Sequence, residues 1–131
     1  MNTEDTNKKT SLDLNDKIRD LEKNKTQFYK EICYQLWNQP QIHADGTILG
    51  CCSNFWGSFG NVADFSSTFE AINNEKMKYA RKMLSGNTLE RSDIPCTSCT
   101  HYKELRDSKN WVTKEEVLLN LKPQIDYVYT P

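Results

Sequence analysis

The stretch Gln41-Ile42-His43-Ala44-Asp45-Gly46-Thr47-Ile48-Leu49-Gly50-Cys51-Cys52 constrains the fold more than any other. An Asp-Gly pair flanked by alternating apolar residues is the strongest short-range signal for a two-residue hairpin whose turn needs positive φ. Cys33 lies thirteen positions before Gly46 and Cys51 five after it. A chain turned back at Gly46 therefore carries both sulfurs to one end of the hairpin. Far downstream, Cys96-Thr97-Ser98-Cys99 places two more thiols on one short loop, at a spacing that lets both reach a single metal centre. Four converging thiols suit a metal ion or a cluster. Soft sulfur ligands select iron–sulfur, zinc or copper(I), and spacing alone does not separate iron from zinc.

Length and composition narrow the class. A chain of 131 residues is expected to form one domain. Only 37% of it is apolar and 27% is charged, so the core is modest and a metal staple would help it fold. A net charge of -1 with interspersed signs lacks the basic footprint of nucleic-acid binding. No apolar run reaches the length of a membrane span, and Met1-Asn2-Thr3-Glu4-Asp5 has neither the basic start nor the apolar stretch of a secretion signal. The expected compartment is the cytoplasm, where thiols stay reduced. Five cysteines, an odd number, also argue against a disulfide framework.

Taken in order, residues 1–10 read as a disordered lead and 11–40 as an N-terminal helical segment. Its stripe of Leu14, Ile18, Leu21, Phe28 and Ile32 is interrupted at Lys25 and is expected to pack on the domain or to dock a partner. Pro40 stops the helix. The segment from Ser53 to Val62 is dense in aromatic residues and glycine, and suits either a small core or the wall of a metal site. Ser67 and Glu70 form a capping-box signature with Phe69 and Ile72 facing inward, and Asn73-Asn74 break the helix before Met77, Ala80 and Leu84 resume the stripe. Gly86 is the expected C-cap, Pro95-Cys96 opens a turn into a short helix over Thr100 to Asp107, and Thr113 with Glu116 caps a last helix that Pro123 ends. Segment 109–131 is thus a C-terminal helix and tail. The fold class is α+β: a two-stranded hairpin and several helices around a four-cysteine site.

Cys33, the Ile42 to Gly46 stretch, Leu49-Gly50-Cys51-Cys52, Gly60-Asn61-Val62, the helix ending in Arg81 to Gly86 and Pro95-Cys96-Thr97-Ser98-Cys99 together resemble the SPASM domain, over roughly 31–108. That domain is the C-terminal module of many radical S-adenosylmethionine enzymes and binds auxiliary 4Fe-4S clusters. The resemblance implies one 4Fe-4S cluster held by Cys33, Cys51, Cys96 and Cys99, with Cys52 as a neighbour and as the alternative to Cys51. It also implies an auxiliary electron-transfer or substrate-positioning role beside a radical enzyme or its core domain acting in trans, on a peptide or other modified substrate. The CxxxCxxC loop of the parent enzymes is missing: successive cysteines are 18, 1, 44 and 3 positions apart. The chain is therefore expected to be a stand-alone or truncated module, non-catalytic by itself, with no catalytic residue to nominate.

Other readings remain at this level. A structural zinc module would use the same four thiols. A dithiol redox centre at Cys96 and Cys99 would need a surrounding βαβ pattern, and none is present. In a continuing strand Cys52 points to the face opposite Cys51 and reads as a small buried hydrophobe. His101 is a candidate substitute ligand or a solvated loop residue. Arg81, Lys82 and Lys103 read either as charges offsetting a thiolate-bound cluster or as solvated faces.

Overall fold

Pro40 separates a helical first part from the hairpin. The computed structural model describes residues 14, 17 and 28–120. The expectations for residues 1–10, for Ile18, Leu21 and the break at Lys25, and for Pro123 and the tail lie outside the described residues. Helical backbone over 28–33 (α1) ends at Cys33, turns at Tyr34, and resumes as α2 (Gln35–Asn38). In a continuing helix the carbonyl of Leu36 would accept from residue 40, but proline has no N–H to give. The guanidinium of Arg81 takes its place, with Nε at 2.9 Å and Nη2 at 2.8 Å from the Leu36 carbonyl oxygen.

Strands β1 (Gln41–Ile42) and β2 (Ile48–Gly50) pair antiparallel. The turn between them corrects the two-residue expectation. The N–H of His43 donates to the Thr47 carbonyl at 2.8 Å and that of Gly46 to the His43 carbonyl at 2.9 Å, leaving a three-residue loop, Ala44 to Gly46. Gly46 has φ +90°, and Lys109 is the only non-glycine residue with positive φ among the described residues. Asp45 therefore cannot supply the positive φ that a two-residue I′ turn demands, and the loop is the type with one glycine completing a bulge. Asp45 instead accepts the Thr47 N–H at 2.9 Å through its side chain. A third extended segment closes on β2 from the other side, through Ile48 N–H to Gly60 O and Phe59 N–H to Ile48 O, both 2.8 Å.

Helix α3 (Thr68–Ile72) starts on the Ser67 hydroxyl, which accepts from Glu70 N–H at 3.1 Å. It presents only Ala71 to the core. Phe69, expected to face inward, is 74% exposed, because a five-residue helix has a single buried position and Phe69 is on the opposite side. After the Asn73-Asn74 break, α4 (Glu75–Leu84) is capped by Asn74, whose Oδ1 accepts from Met77 N–H and whose Nδ2 donates to Phe59 O. Met77, Ala80, Met83 and Leu84 form its buried stripe. The helix closes in a Schellman arrangement: Gly86 N–H donates to Met83 O and Asn87 N–H to Lys82 O, with Gly86 at φ +73°. A Cβ there would lie 2.6 Å from the Trp111 ring, so glycine is required twice over.

A 3-10 turn (Pro95–Ser98) leads into α5 (Thr100–Ser108), and helical residues 114–120 (α6) follow the Thr113–Glu116 capping box. The core joins Leu36, Ile48, Phe59, Met77, Met83, Leu84, Ile94, Tyr102 and Leu105. Of the apolar stripe expected on the first helix, Leu14 and Phe28 are exposed and Ile32 is half-buried, while Lys30, Cys33 and Tyr34 are buried.

The buried Lys30 places its ammonium 3.1 Å from both carboxylate oxygens of Glu116, and the Tyr34 hydroxyl donates to the same carboxylate at 2.7 Å. Burial opposes the charge on Glu116, but the Tyr34 and Lys30 donors and the Thr113 N–H outweigh it and hold its pKa below the usual range. A depressed folded-state pKa contributes stability that is complete above the unfolded value, near 4.5, and is lost as pH falls through the folded one. Thermal melting followed between pH 6 and 3 should thus fall more steeply for the unsubstituted chain than for Glu116→Gln. Parallel curves would show that this ion pair contributes nothing to acid sensitivity.

Candidate metal centre

Each of the four thiols is delivered by a different local device. Cys33 comes from the last helical residue of α1, next to the turn at Tyr34. Cys51 directly follows β2, in a loop organised by a residue that the sequence did not single out. Asn54 is 2% exposed; its Nδ2 donates to the carbonyls of Leu49 and Gly57, and its Oδ1 accepts from the N–H groups of Trp56 and Gly57. That satisfies four backbone groups of a loop that has no ladder of its own. An asparagine just ahead of Phe55-Trp56-Gly57 was the only signal available for it. Cys96 lies in the 3-10 turn and Cys99 is the residue that caps α5. The indole N–H of Trp56 donates to the Pro95 carbonyl at 2.9 Å, tying the hairpin loop to the CxxC turn.

These devices bring Cys33, Cys51, Cys96 and Cys99 into the lining of one small apolar cavity. Leu36, Trp56, Phe59, Leu84, Pro95 and Tyr102 supply apolar wall, and His101 also lines it. Cys52 does not join them: it is exposed, with its backbone N–H donated to the Gln35 side chain at 2.7 Å. The small-hydrophobe expectation for Cys52 is therefore corrected, because the chain leaves the strand at Gly50 and turns outward. All five thiols are free. Among the described residues no three His, Cys, Asp or Glu side chains are closed up into a site for a single metal ion; the four thiols stand around a cavity instead. Of the aromatic loop, Trp56 and Phe59 face the cavity, whereas Phe55 is 88% exposed. Arg81 is engaged with backbone carbonyls of Leu36 and Ile72, not with the thiols.

The electrostatics follow from burial and proximity. Burial, then repulsion from Cys96, Cys99 and Cys51, pushes the Cys33 thiol well above its ordinary range. Burial and the neighbouring Cys51 and Cys99 push Cys96 up to about 12. Cys51 is raised by burial too, but the neighbouring backbone N–H groups of Ser53 and Asn54 pull the other way. The raised Cys33, Cys51 and Cys96 thiols keep their protons in the metal-free protein, so binding a metal must release them. Uptake should accordingly strengthen as pH rises. The same geometry predicts labelling order: brief iodoacetamide treatment of metal-free protein at neutral pH should modify Cys52 at least ~10-fold faster than the buried thiols. Peptide mapping in which Cys33 reacts as fast as Cys52 would contradict the enclosed cavity.

The donor set fits an iron–sulfur group: four soft thiols and an apolar wall. No helix among the described residues is long and apolar enough to cross a membrane. Comparison with curated proteins and with solved structures finds no match. The family model for SPASM, an iron–sulfur cluster-binding domain, matches residues 33–100, which begin at the first of these thiols and end one residue beyond the last. With just over half of the 131 residues matched, and all four cavity thiols inside the match, the chain belongs to the SPASM family of iron–sulfur cluster-binding domains.

Proposed function

We propose that the chain holds one 4Fe-4S cluster through Cys33, Cys51, Cys96 and Cys99, and that it serves a radical S-adenosylmethionine system as an auxiliary electron-transfer or substrate-positioning unit acting in trans. The observation that carries this reading is the meeting of four thiols, from a helix end, a hairpin end and a CxxC turn, around one apolar cavity. The match to an iron–sulfur cluster-binding family supports a cluster over a tetrahedral zinc ion, which would use the same four thiols. When bound, a 4Fe-4S cluster supplies one-electron storage. The chain's own contribution is to exclude water with Trp56, Phe59 and Leu84, to fix the CxxC turn through the Trp56 to Pro95 hydrogen bond, and to set backbone N–H groups of Ser53 and Asn54 near Cys51. Hydrogen bonds to sulfur and limited exposure both set a cluster's potential.

Iron, acid-labile sulfide and zinc measured on oxygen-free material test the proposal. The expected result is about four iron and four sulfide per chain, with an electron paramagnetic resonance signal on reduction. Stoichiometric zinc with no iron and no sulfide would replace the redox reading with a structural metal module. Pull-down from the source cells should recover a protein carrying CxxxCxxC; repeated failure to do so would remove the in-trans role.

A further inference from the structure

His101 lies in the first turn of α5, two residues after Cys99, and lines the same cavity as the four thiols. Its Nδ1 is buried and has no hydrogen-bond partner. Leaving a buried polar atom unpartnered costs about 1–3 kcal/mol, so such atoms call for a partner that the protein itself does not supply. The other polar side chains of the cavity are already engaged. Asn54 is committed to its four backbone partners and the Trp56 indole N–H to Pro95, and the Tyr102 hydroxyl faces the Glu90 carboxylate. The imidazole is also held in place, its ring stacked on Tyr29 with centroids 4.4 Å apart and planes tilted by 36°. A fixed ring with an unused nitrogen, among walls otherwise apolar or saturated, is a donor waiting for an acceptor that enters the cavity.

We infer that His101 donates a hydrogen bond from Nδ1 to a sulfur of the bound cluster and thereby raises its reduction potential. This rests on the cluster reading above. His101 is a positioning residue in this account and not a ligand: the four thiols already complete a cluster's outer ligands. Reduction adds negative charge to the cluster, so a donor on sulfur stabilises the reduced form more than the oxidised one. Removing it should disfavour reduction about tenfold, which is 59 mV for one electron.

The test uses the full chain, loaded anaerobically. His101→Phe keeps an aromatic ring against Tyr29 and removes the nitrogen; His101→Asn keeps an amide N–H near the position of Nδ1. Both should retain the iron and sulfide of the unsubstituted protein, with the midpoint lowered in His101→Phe and largely restored in His101→Asn. A second measurement needs no substitution. His43 and His101 are the only histidines, and His43 sits on the exposed hairpin turn. Pulsed electron paramagnetic resonance of reduced, 15N-histidine-labelled protein therefore reports on His101, and a weak nitrogen coupling is expected. Full cluster content with an unmoved midpoint, or no nitrogen coupling at all, overturns the inference while leaving the cluster reading intact. A strong coupling, or loss of iron from His101→Phe alone, would make His101 a ligand and overturn it as well. Absence of iron from the unsubstituted chain would defeat the cluster reading first.

Discussion

Anaerobically prepared Cys96→Ala protein should carry less than roughly a tenth of the iron and sulfide of the unsubstituted chain, because no spare thiolate can take over at that corner of the cavity. Cys52 is the only other cysteine, and it is exposed, turned away after Gly50 and tied by its N–H to Gln35. Alanine removes one sulfur from a half-buried position, which costs about 1 kcal/mol in the metal-free protein and leaves the turn itself intact. The turn depends on Pro95 and on backbone bonds such as Cys99 N–H to Cys96 O, which alanine preserves. Iron loss and unfolding are thus separable: circular dichroism of metal-free Cys96→Ala should match that of the metal-free parent. Cys52→Ala is the matched control and should keep full iron. Retention of iron by Cys96→Ala, or its loss from Cys52→Ala, would break the assignment of the cavity thiols as the ligand set.

The parts of this arrangement that were readable in advance are those governed by short-range chemistry. The Asp-Gly signal located the hairpin, Pro40 the end of the helix before it, Asn73-Asn74 the helix break, Gly86 the C-cap, and Thr113 with Glu116 the last capping box. The errors arose where a local rule met a longer-range constraint. Asp45 keeps negative φ and uses its carboxylate on Thr47 N–H, so the loop gains a residue. Phe69 loses its inward place because α3 has room to bury only Ala71. Cys52 follows no strand alternation because β2 ends at Gly50. Asn54 and the partnerless Nδ1 of His101 were illegible for a different reason: a polar side chain declares its role only through the path the backbone takes around it, or through a partner missing from the chain. Arg81 belongs with them. Its charge looked like a counter-charge for sulfur, and the fold uses it on carbonyl oxygens instead.

The largest effect on stability is expected at Arg81. Pro40 deprives the Leu36 carbonyl of its helical donor, and the end of α3 at Ile72 leaves a second carbonyl without one. A single guanidinium answers both, with Nε and Nη2 on Leu36 O, Nη2 also on Ile72 O at 2.8 Å, and Nη1 on Asn73 Oδ1 at 2.9 Å. One planar group thereby joins the helix that ends ahead of the hairpin, the break between α3 and α4, and α4 itself. Burial lowers the Arg81 pKa, yet a guanidinium stays charged at any ordinary pH, so the cost of partly desolvating it is met by four charge-assisted bonds. Arg81→Met keeps much of the aliphatic bulk and removes every donor. It should destabilise the metal-free protein by about 3 kcal/mol, given ~1–3 kcal/mol for each carbonyl left unsatisfied and some recovery through water at this half-buried site. That is a large share of the ~5–15 kcal/mol typical of a domain, and corresponds to a melting temperature lower by roughly 10 °C or more. Arg81→Lys should recover less than half of the loss, since one ammonium cannot span acceptors on three residues with the geometry of a planar fork. Chemical denaturation of the three proteins provides the measurement. A methionine variant within about 0.5 kcal/mol of the parent would mean that water satisfies these carbonyls as well as the guanidinium does, and that the alignment of the Cys33 helix with the rest of the domain does not depend on Arg81.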